Sequence, residues 1–278
     1  MLKEELFSLF FLFLLSALLF AIARKRGYFC PLQSHASLQL RFLQVLKAFG
    51  TYLGTSFIAI QLASFLIKAF FAKPSILVLG WMQFAISLFS GICLLIFCSL
   101  QDLSQMRRMW KEEKGSSVLY DMGIGVVSWI IAFPFVAFLS QLSDLFLFYF
   151  FGTESYEQEA VRFLKMMMST PSLIALATIM IIGIAPVFEE LLFRGFLQSW
   201  AREKMGKKAA ILTSSLFFAI FHLSVQQGYG NISLFISLFF LALFLGFLYE
   251  RQGSLFAPIA LHMTFNGVSA LRILLFEP

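Results

Sequence analysis

Two adjacent glutamates followed by an arginine interrupt a long apolar stretch near the middle of the chain. Glu189, Glu190 and Arg194 lie in residues 172–194, which are otherwise almost entirely apolar. An ionisable side chain at the centre of a membrane helix costs about 2.5–3.5 kcal/mol on insertion scales, so such a cluster needs partners or a function. Glu190 and Arg194 have the i, i+4 spacing of an ion pair, which predicts that they brace the helix and leave Glu189 available for chemistry.

Two histidines lie in other apolar stretches and extend this pattern. His222 follows Phe218 by four positions, and Asn266 follows His262 by four, so each pair shares one face of a helix. Counting about 1.5 Å per residue from the cytoplasmic end of each stretch places Glu189, His222 and His262 roughly 12–20 Å into the membrane. A single histidine or Glu–Arg pair at that depth is usually structural. A carboxylate, two imidazoles and an amide at one depth predict a reactive site.

The elements that must position these residues are membrane-spanning helices. Hydrophobic residues make up 60% of the chain and charged residues only 13%, a balance typical of an integral membrane protein. Since a hydrocarbon core of about 30 Å takes about 20 helical residues, we expect about eight spans, or seven if a boundary is misplaced. They lie near 5–23, 49–71, 75–99, 121–150, 171–198, 209–225, 231–249 and 254–275.

The distribution of charge predicts the topology. The net charge is +6, but the basic residues fall in short clusters between apolar stretches, which argues against nucleic-acid binding. With the N-terminus outside, most Lys and Arg residues face the cytoplasm, so we expect both termini outside and a multi-pass protein, as in a bacterial inner membrane. Residues 153–165 predict a short interfacial helix or loop. No pattern indicates an oligomeric state.

Three short motifs resemble those of a known family. In order, Glu189-Glu190-Leu-Leu-Phe-Arg194, Phe218-Ala-Ile-Phe-His222 and His262-Met-Thr-Phe-Asn266 are similar to the motifs of the CPBP family, the CAAX proteases and bacteriocin-processing enzymes related to the type II CAAX prenyl endopeptidase. The resemblance covers about residues 171–275.

The resemblance implies an all-α, polytopic bundle with the active site in a cavity among spans five, six and eight. We therefore expect one integrated membrane domain. In it, residues 1–170 supply about four N-terminal spans and the interfacial segment, and residues 171–278 form the catalytic helix core.

The same resemblance implies an intramembrane endopeptidase that acts on a membrane-associated or lipid-modified protein or peptide among membrane lipids. Glu189 would activate water with help from His222, while His262 and Asn266 would form the oxyanion hole. Glu190, Arg194 and Phe218 would give structural support. These roles suit the chemistry, because preorganised donors matter most where water is scarce.

The sequence leaves both the cofactor and the class of function open. Glu189, His222 and His262 form an acceptable zinc set with a free position for water, but the HExxH spacing is absent, so the expectation is either no tightly bound cofactor or one Zn²⁺. The alternative functions are a non-proteolytic membrane scaffold or bacteriocin self-immunity protein, and a proton-coupled transporter. The intact motifs disfavour the scaffold, and the lack of repeat halves disfavours the transporter.

Overall fold

The computed structural model describes residues 2–30, 38–113, 116–152, 159–168 and 170–276, and these residues form helices joined by short connections. The fold class is all-α, as predicted. In chain order the α-helices are α1 (Leu2–Lys25), α2 (Phe42–Phe70), α3 (Ile76–Ser99), α4 (Leu103–Trp110), α5 (Val118–Phe151), α6 (Glu159–Met167), α7 (Pro171–Thr178), α8 (Ala185–Glu190), α9 (Ser199–Phe221), α10 (Gly230–Gln252) and α11 (Phe256–Phe276).

Seven of the described helical stretches are long and apolar enough to cross a membrane, one fewer than the predicted eight. The difference lies in residues 171–221, where predicted spans five and six belong to one helical stretch of 51 residues. At about 1.5 Å per residue this stretch would be roughly twice as long as a membrane is thick if it were straight. It is not straight, because Gly206 has φ 80° and ψ 168°, outside the helical region.

The chain reverses direction at Gly206. The Ser214 hydroxyl donates to the carbonyl of Phe193 at 2.9 Å, and the rings of Phe193 and Phe218 lie 5.1 Å apart. The second half of α9 therefore packs back against the helix that precedes it, which brings His222 level with residues near 190. A positive φ costs glycine little, so Gly206 permits this reversal.

The neighbouring helices also fix the site by antiparallel packing. α11 runs antiparallel to residues 179–190, and α2 packs antiparallel to the same helical stretch. On the far side, α5 runs antiparallel to both α1 and α10. The largest buried cluster joins Leu191, Leu192, Phe193 and Phe196 to Phe218, directly beside the predicted reactive residues.

Two smaller predictions concern the segments outside the main spans. The predicted span 121–150 contains Pro134, whose missing N–H favours a kink or an extramembrane turn, but α5 runs through the proline as one helix of 34 residues. The predicted interfacial segment lies partly outside the described residues, and its described part forms α6, whose Leu164 and Met167 are buried. A short helix that was not predicted, α4, is capped by Asp102 and buries Met106 and Met109.

The helix around the glutamates departs from α geometry on both sides of α8. Residues Ile179–Ile184 and Leu191–Gln198 are π-helical, with wider turns than an α-helix. Because Pro186 has no backbone N–H and Gly183 makes distortion easier, a kink or widened turn is expected just before Glu189. The first π segment is such a widened turn. The second was not predicted. Single π turns inside α-helices are frequent at functional sites because they change the direction of the side chains that follow.

Candidate active site

Three helices converge on one carboxylate oxygen. Glu189, near the end of α8, places Oε2 3.5 Å from Nε2 of His222 and 3.9 Å from Nε2 of His262. His222 is the C-cap of α9, and His262 lies in the first half of α11. The structure thus brings together the three residues that the sequence placed at one depth. The two histidines that approach Oε2 of Glu189 come from 33 and 73 residues later in the chain.

The hydrogen bonds at the other ring nitrogens fix the histidine tautomers. His222 Nδ1 lies 2.7 Å from the carbonyl oxygen of Phe218, which can only accept, so Nδ1 carries the hydrogen. His262 Nδ1 lies 2.9 Å from Oε1 of Glu190 and donates to that carboxylate. In the neutral form, both histidines therefore present an unprotonated Nε2 to Glu189. Such an arrangement can take up a proton at the point where the three groups meet.

Glu190 has a larger part than the predicted ion pair. Its Oε1 accepts from Arg194 Nη1 at 3.1 Å, as the i, i+4 spacing predicts, and also accepts from His262. The pair is not bidentate, because Nη2 of Arg194 donates instead to the carbonyl of Ala242 at 3.0 Å. Both side chains are fully buried. Glu190 therefore links the ion pair to the orientation of His262.

Phe218 lies between these groups. The guanidinium of Arg194 stands 4.6 Å from the centroid of the Phe218 ring, a distance suited to a cation–π contact. The same ring lies 4.6 Å from the ring of His222 and meets His262 edge-on at 5.8 Å. Its exposure is 0%, so one aromatic side chain packs against both histidines and the arginine.

Asn266 reaches a backbone atom instead of a side chain. Its Nδ2 donates to the carbonyl oxygen of Ile181 at 2.9 Å. Asn266 is one helical turn beyond His262 on α11, and Ile181 lies in the first π segment. Because an amide nitrogen has two hydrogens, the second remains available to another acceptor.

The groups predicted to be reactive differ in accessibility from the residues that pack behind them. The side chains of Glu189 and His222 keep 19% and 28% of their surface exposed, whereas Glu190 and Arg194 keep none. The His262 side chain keeps 6%. Glu189 and His222 are therefore partly accessible at the surface of the described residues, whereas Glu190 and Arg194 are not.

The donor types at the site suit zinc, but the arrangement does not. Among the residues that the structure describes, no group of three or more His, Cys, Asp or Glu side chains could hold a metal ion. We therefore derive no chemical step through a metal.

Contacts between groups far apart in the chain were not predicted from the sequence. Neither the Glu190–His262 bond nor the carbonyls of Ile181 and Ala242 could be found from spacing, because the partners lie 72, 85 and 48 residues apart. The shared depth of Glu189 and His262 was the one signal that pointed to the first of these contacts.

Comparison with known proteins finds similarity in the part of the chain that carries the three motifs. A family model described as "Type II CAAX prenyl endopeptidase Rce1-like" matches residues 171–268, which contain all three motifs. The chain is also 26% identical over 172 residues to "Putative membrane peptidase YdiL" of Bacillus subtilis (strain 168). That alignment covers 62% of this chain and 66% of the relative, slightly less than two thirds of its length. No solved structure matches the chain significantly.

Proposed function

We propose that this chain, whose residues 171–268 match the Rce1-like model of type II CAAX prenyl endopeptidases, hydrolyses a peptide bond of a membrane-associated or lipid-modified protein or peptide. The observation that carries this proposal is the convergence of two histidine Nε2 atoms on the partly exposed Oε2 of Glu189. The protein is then a multi-pass membrane peptidase whose reacting groups lie within the helix bundle.

Glu189 acts as the general base in this proposal. A water molecule next to Oε2 attacks the carbonyl carbon of the substrate while its proton passes to Glu189. The C–N bond of the resulting tetrahedral species then breaks, and the proton passes to the leaving nitrogen. His222 assists because its Nε2, free of hydrogen, can hold the water or the transferred proton.

His262 and Asn266 stabilise the oxyanion in this proposal. Nδ1 of His262 is occupied by Glu190, so His262 can donate from Nε2 only when both ring nitrogens carry hydrogen. Asn266 can donate with the amide hydrogen that Ile181 does not use. Removing one oxyanion donor typically costs about 100–1000-fold in kcat, so both residues matter in this mechanism.

The experiment that tests the function is cleavage of a membrane-anchored reporter by purified protein. We expect Glu189→Ala and His222→Ala to lower kcat by at least about 100-fold, as expected for loss of general base catalysis. Glu203→Ala removes a glutamate from an exposed position of α9 and is the matched control, with activity retained. Full cleavage by Glu189→Ala would rule out its assigned role.

A second measurement tests whether a metal takes part. The mechanism uses only the chain's own residues, so we expect activity to survive a zinc chelator and metal analysis to find no stoichiometric zinc. Loss of activity on chelation, with recovery on adding zinc, would contradict it.

If motif variants keep the cell's phenotype, the scaffold or immunity function replaces the enzymatic one.

The proposal also gives the orientation of the site in the membrane and a way to find its substrates. In this proposal the stretch 171–221, which reverses at Gly206, counts as two spans, so both termini lie outside the cytoplasm and Glu189 lies nearer the cytoplasmic end of its helix. Comparison of membrane proteomes from wild-type and Glu189→Ala cells should reveal peptides that accumulate uncut in the variant. Accumulation that Glu203→Ala does not reproduce would identify candidate substrates.

A further inference from the structure

One carbonyl near the proposed site cannot find a donor on its own helix. In an α-helix, the carbonyl of Ile181 would accept from the N–H of Ala185, but that N–H bonds to the carbonyl of Met180 in the π register. In the π register the donor to Ile181 would be residue 186, which is Pro186 and has no N–H. Both local donors are therefore excluded by the sequence and the helix geometry together.

Asn266 provides the missing donor from another helix. Its Nδ2 lies 2.9 Å from the Ile181 carbonyl oxygen. On the same face of α11, His262 bonds to Glu190 at 2.9 Å. Two bonds from α11 therefore hold the helix on either side of Pro186, one before the proline and one just after Glu189. Their joint effect is to fix the direction in which α8 presents Glu189.

We propose that Asn266 is a positioning residue that replaces the backbone donor removed by Pro186 and thereby holds Glu189 in line with the two histidines. The effect on the reaction runs through the Ile181 carbonyl and rests on the proposed peptidase function. It differs from oxyanion binding in one testable respect: a backbone N–H at position 186 can take over the positioning bond, but cannot reach a substrate in place of the Asn266 amide.

A double-variant experiment separates the two roles. We expect Asn266→Ala to lower kcat by more than about 100-fold, with a smaller change in KM, because it combines a displacement of Glu189 with the loss of one oxyanion donor. Pro186→Ala restores an N–H at position 186 and should retain most of the activity, since Asn266 still serves Ile181. The double variant Pro186→Ala/Asn266→Ala should recover the share of the loss that comes from positioning, at least about tenfold in kcat, but not the share that comes from the oxyanion donor.

The matched control is another asparagine that binds a carbonyl. Asn231 Nδ2 donates to the carbonyl of Ser224 at 2.7 Å, away from the first π segment. Any defect of Asn231→Ala should not be relieved by Pro186→Ala. If the double variant at 186 and 266 stays as inactive as Asn266→Ala, the positioning role is wrong and direct contact with the oxyanion is favoured.

Hydrogen exchange keeps the inference testable if the protein proves not to be a peptidase. Loss of the bond between Asn266 and the Ile181 carbonyl should speed the exchange of backbone amides in residues 179–190 of Asn266→Ala relative to wild type. The double variant should restore protection. Unchanged exchange in Asn266→Ala would overturn the positioning role whatever the activity. If the double variant regains protection but the protein cleaves no substrate, the positioning role of Asn266 stands and only the proposed function is rejected.

Discussion

Two sets of polar residues lie on or against the same helical stretch, about two turns apart; one is the set proposed to be reactive, and the two differ in the length of their contacts and in exposure. The reactive set is Glu189, His222 and His262. The paired set, nearer the predicted cytoplasmic end, is Gln198, Ser199, Arg202, Tyr249 and Glu250. In the paired set, Gln198 Nε2 donates to the Gly246 carbonyl and to Glu250 Oε1, both at 3.0 Å, while the hydroxyls of Ser199 and Tyr249 lie 2.9 Å apart.

The contacts in the two sets have different lengths and exposures. In the reactive set the distances to Glu189 are 3.5 and 3.9 Å, longer than ordinary hydrogen bonds, and the Glu189 side chain is 19% exposed. In the paired set Gln198 and Ser199 are fully buried. The comparison teaches that residue type alone does not distinguish the two roles. Under the proposed function, short bonds between buried groups accompany support, and longer contacts with partial exposure accompany chemistry.

Glu190 and Arg194 belong to the supporting kind although they adjoin the reactive set, and here we expect the largest loss of stability. Arg194→Met leaves the Glu190 carboxylate buried without its counter-charge, which should lower the free energy of unfolding by about 3–5 kcal/mol. Thermal unfolding of the purified protein in detergent measures this. Arg108→Met, at an exposed position of α4, is the control.

A second variant distinguishes the unpaired charge from lost packing. Adding Glu190→Gln to Arg194→Met removes the remaining buried charge, so the double variant should be more stable than Arg194→Met alone. The two substitutions would act independently if the double variant were less stable than either single one. That result would mean that the Glu190 carboxylate stabilises the fold through its bond to His262 even without Arg194.

Gln198 in the paired set should give an intermediate loss. Gln198→Leu leaves Glu250 and the Gly246 carbonyl without its amide hydrogens, at a cost of about 1–3 kcal/mol in the free energy of unfolding. We expect kcat per folded molecule to stay near the wild-type value. Gln226→Leu, at an exposed position, should change neither quantity. A large fall in kcat at unchanged stability would break the distinction between the two sets.

The sequence predicted those parts of the site that depend on local spacing and on depth. The four-residue spacing gave the Glu190–Arg194 pair, and counting along apolar stretches brought Glu189 to the level of His222 and His262. Helix periodicity and membrane thickness constrain these features directly. The all-α fold follows from the same constraints, because backbone groups in a bilayer need partners within the spanning segment.

The rest depended on contacts that no local pattern encodes. Counting residues gives depth but not rotation about the helix axis, so it could not show that His262 would bind Glu190. The π turns change that rotation, and only the one before Pro186 has a local sequence signal. The pairing of Gln198 with Glu250 escaped notice because both lie near predicted span ends, where polar residues are expected to be solvated.

Glu189 should give the smallest change in stability and one of the largest in activity. Glu189→Gln keeps the shape of the side chain and removes a charge that is partly exposed and makes no short hydrogen bond to either histidine, so we expect a change below about 1 kcal/mol. Reporter cleavage should fall by at least about 100-fold, because an amide cannot act as the base. Glu203→Gln is the matched control for both measurements. If Glu189→Gln instead destabilised the protein more than Gln198→Leu, Glu189 would be a structural partner of the histidines, and the contrast between the two sets would reflect membrane depth alone.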